Sequence, residues 1–178
     1  MINKNLFPAQ EGEEIQLVIR EHWFYLFMRL LGWAIFVVIL FALDKYLPIL
    51  FPNILSDPFA SYYSLFKNIY AVFLTLGLFM IWTLYYLNIE VITSHRIVDV
   101  LQRGLFNHTV SELDISKIED VTGETTGFFG TIFSFGNVRV QTAGKEEHFV
   151  FYNIPHPDKV EKLILDLYQK TRPQNQQE

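Results

Sequence analysis

A chain of 178 residues, 51% of them hydrophobic and 19% charged, carries 17 Phe and 9 Tyr, more than one ordinary core of this size absorbs. A net charge of −5 argues against nucleic acid as a partner, because neutralising phosphates takes a concentration of Lys and Arg. Cysteine is absent, which excludes a disulfide framework, a thiol nucleophile and a Cys-ligated metal and fits a reducing cytoplasmic face, while the apolar excess points to a segment dissolved in lipid.

Residues 1–22 read as a cytoplasmic lead-in. In EGEEIQLVIREHW, Ile15, Leu17 and Ile19 alternate as in a strand, while Ile15, Val18, Ile19 and His22 also fit a helical face; the expectation is a strand or extended segment. The first apolar run follows this acidic stretch and has no early basic region, so no cleavable signal peptide is expected.

A transmembrane region is expected over 24–87. LLGWAIFVVILFAL, from Leu30, is uncharged, and it reaches spanning length (about 26–46) if the chain is followed back past Met28 and Arg29 snorkels to the headgroups. IYAVFLTLGLFMIWTLYYL, Ile69 to Leu87, is cleaner: a helix of that length rises about 28 Å, close to the ~30 Å hydrocarbon core. Ala71 and Thr75 offer a small-residue pair for helix packing. The connecting segment 47–68 reads as an irregular outer loop, since its prolines oppose one unbroken helix. Arg20, Arg29, Arg96 and Arg103 flank the spans on the terminal side against Lys45 and Lys67 on the connecting side, which favours both termini inside; Lys67 sits awkwardly close to the second span.

After Leu87 short β-branched and aromatic runs alternate with turns. Strands are expected near Asn88–Thr93, Arg96–Leu101, Leu105–Leu113, Ile118–Glu124, Thr131–Ser134, Asn137–Thr142 and His148–Tyr152. Residues 143–147, AGKEE, read as a hairpin connection with Gly144 available for positive φ. Val138 and Val140 share one strand face against Arg139 and Gln141, whereas Phe149 and Phe151 are backed by Val150 and Tyr152, so that second face is apolar as well. Val160, Leu163, Ile164 and Leu167 then form one stripe of an amphipathic helix. His156 caps it with Pro157 at its first position, or Asp158 caps it with Glu161 completing a box. Residues 171–178 are a polar tail, expected to be disordered.

The stretch GFFGTIFSFGNVRVQTAG raises the question of a phosphate loop. Gly127, Gly130 and Gly136 have the wrong spacing for GxGxxG, strand-forming residues follow them, and no GxxxxGK[ST] occurs. The glycines are expected to permit tight reversals, with Phe128, Phe129, Ile132, Phe133 and Phe135 supplying core or membrane-facing bulk. Five histidines (His22, His95, His108, His148, His156) include no HExxH, and TSH and SELD offer no nucleophile elbow. From Asn88 onward nine basic residues face thirteen acidic ones, a net of −4, which ranks anionic-headgroup recognition low.

The segment from Thr93 to Gly144 resembles the bacterial pleckstrin-homology-like domain of the YdbS-like membrane-protein family. The resemblance is carried by Thr93, Arg96 and Ile97, by the GLF turn at Gly104–Phe106, by Ser116–Val121 as SKI-x-DV, and by Gly136, Val138, Thr142, Ala143 and Gly144. It covers about Asn88 to Leu167, and the two apolar runs and the lead-in also resemble family members. It implies a bent antiparallel barrel or sandwich of about seven strands closed at one end by the C-terminal helix. Two departures stand out. Thr131 replaces a residue that is often basic in relatives, which weakens an anionic-headgroup role, and Leu113–Asp114 stands where relatives often have Ile-Pro.

The expected protein is therefore membrane α + β: two transmembrane helices, then a PH-like antiparallel β-barrel or sandwich over 88–170 capped by a C-terminal α-helix. The expected role is a membrane-anchored, non-catalytic scaffold or protein-interaction module at the cytoplasmic face of the cell membrane, partnered by the bilayer and by a second copy or another membrane protein. The alternative is a lipid-headgroup or small-ligand binder. Phe128, Phe129, Thr131 and Phe133 form the candidate interaction surface, and Arg20, Arg29, Arg96 and Arg103 are the candidate headgroup contacts. No catalytic residue, metal or cofactor is expected.

Overall fold

Both long apolar runs fold as helices that exceed the spans read from sequence. The computed structural model describes residues 12–104, 106–142 and 148–171. The AGKEE connection with Gly144, Leu105 of the predicted third strand, and the tail after Thr171 lie outside the described residues. Helix α1 runs Trp23–Leu50 and α2 runs Phe59–Leu87. The second therefore begins well before Ile69 and takes up much of the segment read as an irregular loop. Pro48 lies in the last turn of α1, where its missing N–H and its ring disturb only the final hydrogen bonds of the helix, and Pro52 opens a short 3-10 turn, Pro52–Leu55, between the helices.

At 1.5 Å per residue each helix is over 40 Å long, roughly two fifths more than a ~30 Å hydrocarbon layer requires. Both are long and apolar enough to cross a membrane, and neither has a buried residue. They are tied to each other by a few polar groups. Trp33 Nε1 donates to the Leu74 carbonyl at 2.9 Å, and the Tyr70 hydroxyl donates to the Phe36 carbonyl at 3.0 Å. The Trp33 ring lies against Gly77, where an added Cβ would stand 3.7 Å from it. Lys67, awkward in the charge count, is answered by Asp44 at 2.7 Å. The Thr75 hydroxyl donates to Ala71 within its own helix.

Seven strands build the second unit, which comprises the described residues up to His22 and from Tyr86 onward. The lead-in is a strand, β1 (Ile15–Ile19). It pairs antiparallel with β2 (Ile89–Thr93), followed by β3 (Arg96–Gln102) and β4 (His108–Asp114), in the order β1-β2-β3-β4. A second sheet holds β5 (Ile118–Glu124), β6 (Phe135–Thr142) and β7 (His148–Pro155) in that order. Among the described residues these are two separate antiparallel sheets, not one closed barrel. The β domain is thus discontinuous in sequence, since residues 88–170 omit its first strand.

Among the expected strands, one is wrong. The strand at Thr131–Ser134 and the tight reversal at Gly127–Gly130 are replaced by a helix, α3 (Gly127–Phe133). Ser134 ends it in the left-handed conformation, its N–H bonding the Gly130 carbonyl. Gly130 is buried, and a Cβ there would stand 3.0 Å from the Phe135 carbonyl, so glycine lets the helix lie on the strand that follows it.

The sheets and the C-terminal helix α4 (Pro157–Thr171) share one core. Ile92, Ile97, Ile115, Val138, Val140, Phe151, Ile154 and Ile164 are fully buried in it. Val138 and Val140 point in while Arg139 and Gln141 are exposed, as their alternation requires. From α4, Val160, Ile164 and Leu167 are buried and Leu163 packs beside them. Its start follows the first of the two capping arrangements. Pro157 is its first residue, and the His156 carbonyl accepts from the amides of Lys159 and Val160 at 3.0 and 3.3 Å. Glu161 instead reaches across to accept the Gly123 amide at 3.1 Å, pinning the helix to β5. A second apolar cluster, Val91, Val98 and Val100 with Val18 and Ile89, occupies the other face of the first sheet.

Candidate functional site

The β-strand register gathers several chemically distinctive residues at one end of the domain. Ile19 pairs with Glu90, Ile89 with Val100, and Gln102 with His108, so the end of β1, the start of β2, the end of β3 and the start of β4 lie toward the same end of the sheet. His22, the last residue before α1, and Asn88, the first after α2, both belong here. The Asn88 carboxamide oxygen accepts the Gln102 amide at 2.6 Å, and the Arg103 amide donates to the Asn107 carbonyl at 2.9 Å. The Gln102 side chain also donates to the Gly104 carbonyl, which fixes the β3–β4 turn and leaves Phe106 93% exposed.

The second sheet joins at the same end. His22 donates its amide to the Asn153 carbonyl at 2.7 Å, and its ring lies 5.1 Å from that of Phe135, the first residue of β6. The His156 amide donates to the Ser134 carbonyl at 2.8 Å, holding the junction of α3 and β6 against the end of β7. Burial, and then the neighbouring His156, lower the His22 pKa and favour its neutral ring.

Two carboxylates sit on the core-facing side of the first sheet at this end. Glu90 and Asp99 are cross-strand partners one row from Ile92 and Ile97. Glu90 as a whole is half-buried, yet its Oε2 is closed off from solvent and has no hydrogen-bond partner. Burial pushes the Glu90 carboxyl well above the usual carboxylate range, and the charges of Asp99 and then Glu21 push the same way. Asp99 is also raised by burial, against an opposing pull from Arg103. Sequence reasoning did not find this pair. Both faces of IEVIT are apolar enough to be the inner one, so Glu90 could not be assigned a side.

The residues singled out from sequence separate into groups. Phe128, Phe129, Thr131 and Phe133 all lie on α3 and are exposed, with Phe128 at 75%. Ile132 joins them and Thr131 donates back to the Gly127 carbonyl at 3.0 Å. Arg20 and Arg103 are exposed at the helix-junction end, Arg20 lying 5.4 Å from the centre of the Tyr86 ring, while Arg29 is within α1. Arg96 must be corrected. It lies at the opposite end of β3, about 20 Å away at ~3.4 Å per residue. Its guanidinium is buried, bonded to Glu13 through Nε and Nη2 at 2.9 Å each and to Glu112 through Nη1 at 2.6 Å. The hydrogen bond to Glu13 leads in raising the Arg96 pKa further. That side chain is an internal tie, not a headgroup contact.

The family model for the bacterial PH domain matches residues 27–168. The chain belongs to the bacterial PH domain family. No curated protein matches it. A crystal structure of a DUF1696 family protein with a pleckstrin-homology domain, from Shewanella loihica PV-4, is similar at 15% sequence identity with a TM-score of 0.38, over 46% of this chain and 70% of that one.

In this bacterial PH domain the Thr93-x-x-Arg96 signature is a turn device. Thr93 Oγ1 accepts the amides of His95 at 3.2 Å and Arg96 at 3.0 Å, and it lies 2.7 Å from Glu13 Oε1. One side chain therefore closes the β2–β3 turn and helps seat the carboxylate that holds Arg96. Gly136 has a comparable packing role. A Cβ there would collide with the Glu124 carbonyl oxygen and stand 2.9 Å from its carbon. On the outer face of the second sheet, a depression of about 350 Å³ is lined by Asp120, Thr122, Glu124, Arg139, Gln141, Val150 and Tyr152. Arg139 meets Glu124 there at 3.5 Å, so its one cation is shared with an acid. Val150 and Tyr152, the apolar second face of β7, are part of this surface. Among the described residues, no three His, Asp or Glu side chains gather as a metal site.

Proposed function

We propose that this bacterial PH domain protein is a membrane-anchored, non-catalytic interaction module, of the YdbS-like kind, that holds its β domain against the cytoplasmic face of the cell membrane. The observation that carries the reading is the pairing of β1 with β2. These strands flank the helical hairpin in sequence and are neighbours in one sheet. A hairpin that crosses a bilayer twice returns the chain to the side it left, which is what lets both strands join one domain. Two helices of spanning length without a buried residue, and a surplus of Arg on the terminal side, support the same arrangement.

The surface offered to a protein partner is the outer face of the β5–β6–β7 sheet, where Tyr152 is 64% exposed beside Asp120 and Arg139. Mixed charge there favours a polar protein surface over an anionic headgroup. Extraction of native membranes with alkaline carbonate is expected to leave the chain in the pellet. A photo-crosslinking residue at Tyr152 is expected to capture a protein from those membranes. Release by carbonate contradicts the anchoring, and crosslinks to lipid alone contradict the protein-contact role.

A further inference from the structure

The helix-junction end carries apolar side chains that the core does not use. Phe128, Phe129 and Ile132 are 75%, 53% and 57% exposed on α3, and Phe106 stands out of the β3–β4 turn. Each of the two elements is tied to a residue next to a helix end. The turn is bonded to Asn88, immediately after α2, and the junction following α3 is packed on His22, immediately before α1. Arg20 and Arg103 are exposed at the same end. Glu90 and Asp99 turn toward the core of the sheet and do not set a negative surface against what lies outside.

We infer that this end of the domain is seated in the headgroup layer, with Phe106, Phe128, Phe129 and Ile132 entering the acyl boundary and Arg20 and Arg103 meeting lipid phosphates. The inference rests on the membrane reading above. Its occupant is lipid because both apolar elements are tied to the residues, Asn88 and His22, at which the chain leaves and enters the two apolar helices. Short apolar segments rich in Phe, flanked by Arg, have the composition of interfacial anchors. The arrangement gives the domain a fixed face toward the membrane and leaves the outer face of the second sheet for a partner.

The natural chain has no cysteine, so single spin labels can be placed without background. Full-length Phe128→Cys, Ile132→Cys, Glu119→Cys and Val38→Cys would be labelled separately. Each would be put into nanodiscs of phosphatidylethanolamine and phosphatidylglycerol, and its collisions with oxygen and with a water-soluble nickel chelate compared. Val38, in α1, tests the anchoring itself, and Glu119 is the exposed aqueous reference. The oxygen-to-nickel ratio at 128 and 132 is expected to lie severalfold above that at 119 and below that at 38. A lipid-like ratio at 38 with water-like ratios at 128 and 132 overturns the inference and leaves the anchoring intact. Shielding of 128 and 132 from both reagents identifies a protein or second copy on the patch and likewise overturns it. A water-like ratio at 38 overturns both.

Discussion

Replacing Arg96 with Met removes the cation that holds the lead-in strand to the sheet. The two acidic partners are not equivalent. The Arg96 side chain is 9% exposed and that of Glu13 only 1%, whereas Glu112 is 49% exposed. The Glu112 arm is screened and is worth about 0–1 kcal/mol, as for a surface pair. The Glu13 arm is dry, and loss of Arg96 strands a buried carboxylate at a cost of about 3–5 kcal/mol. That is a large share of a domain's usual ~5–15 kcal/mol. Because Glu13 lies just before β1, the loss should fall first on that strand. At ~1.4 kcal/mol per tenfold, amide exchange in residues 15–19 of the full-length protein in nanodiscs should accelerate by about a hundredfold or more. The double variant Arg96→Met with Glu13→Gln buries no charge and should recover much of the protection. Arg96→Lys should recover little, since an ammonium cannot span both carboxylate oxygens. Less than about a tenfold change in the single variant, or a double variant no better protected than the single, would refute the reasoning.

Three further outcomes are expected. Glu90 has a raised folded pKa, so the folded state binds its proton more tightly than the unfolded state, and stability is lost as pH rises from the ordinary carboxylate range through the folded value, by up to ~1.4 kcal/mol per pH unit. Glu90→Gln should therefore be more stable than the natural chain at neutral pH, with the difference closing on acidification. Pulse proteolysis across pH checks this, and a variant less stable at neutral pH counts against it. Gly136→Ala must part β5 from β6, since its Cβ would meet Glu124 and Thr125 backbone atoms, and should cost about 1–3 kcal/mol or more in urea denaturation. Phe151→Ala should cost about 3–5 kcal/mol in the same assay while Phe128→Ala stays within about 0.5 kcal/mol, because one ring is fully buried and the other is exposed.

What was legible in the sequence follows from how local each signal is. The apolar runs declare themselves because a long uncharged stretch is legible from length and composition alone. The alternation at Val138 and Val140 and the stripe of Val160, Ile164 and Leu167 fix inner faces within a few residues. Helix α3 was hidden. It is under two turns long, it holds two glycines, and its aromatic run GFFGTIF carries the composition of a strand. Strand β1 was ambiguous because the partners that settle its conformation lie after the helical hairpin. Arg96 was misread for the same reason. Beside a span an arginine looks like a headgroup anchor, and its true partner, Glu13, is 83 positions away.

The central claim, a hairpin that leaves and re-enters one domain across a bilayer, is tested most directly by sidedness. Single cysteines at Glu14, before β1, at Glu119, in β5, and at Asn53, between the helices, would be probed with a membrane-impermeant maleimide in intact and inverted vesicles. Glu14→Cys and Glu119→Cys are expected to label from the cytoplasmic side alone, and Asn53→Cys from the opposite side alone. Labelling of all three from one side would contradict the account.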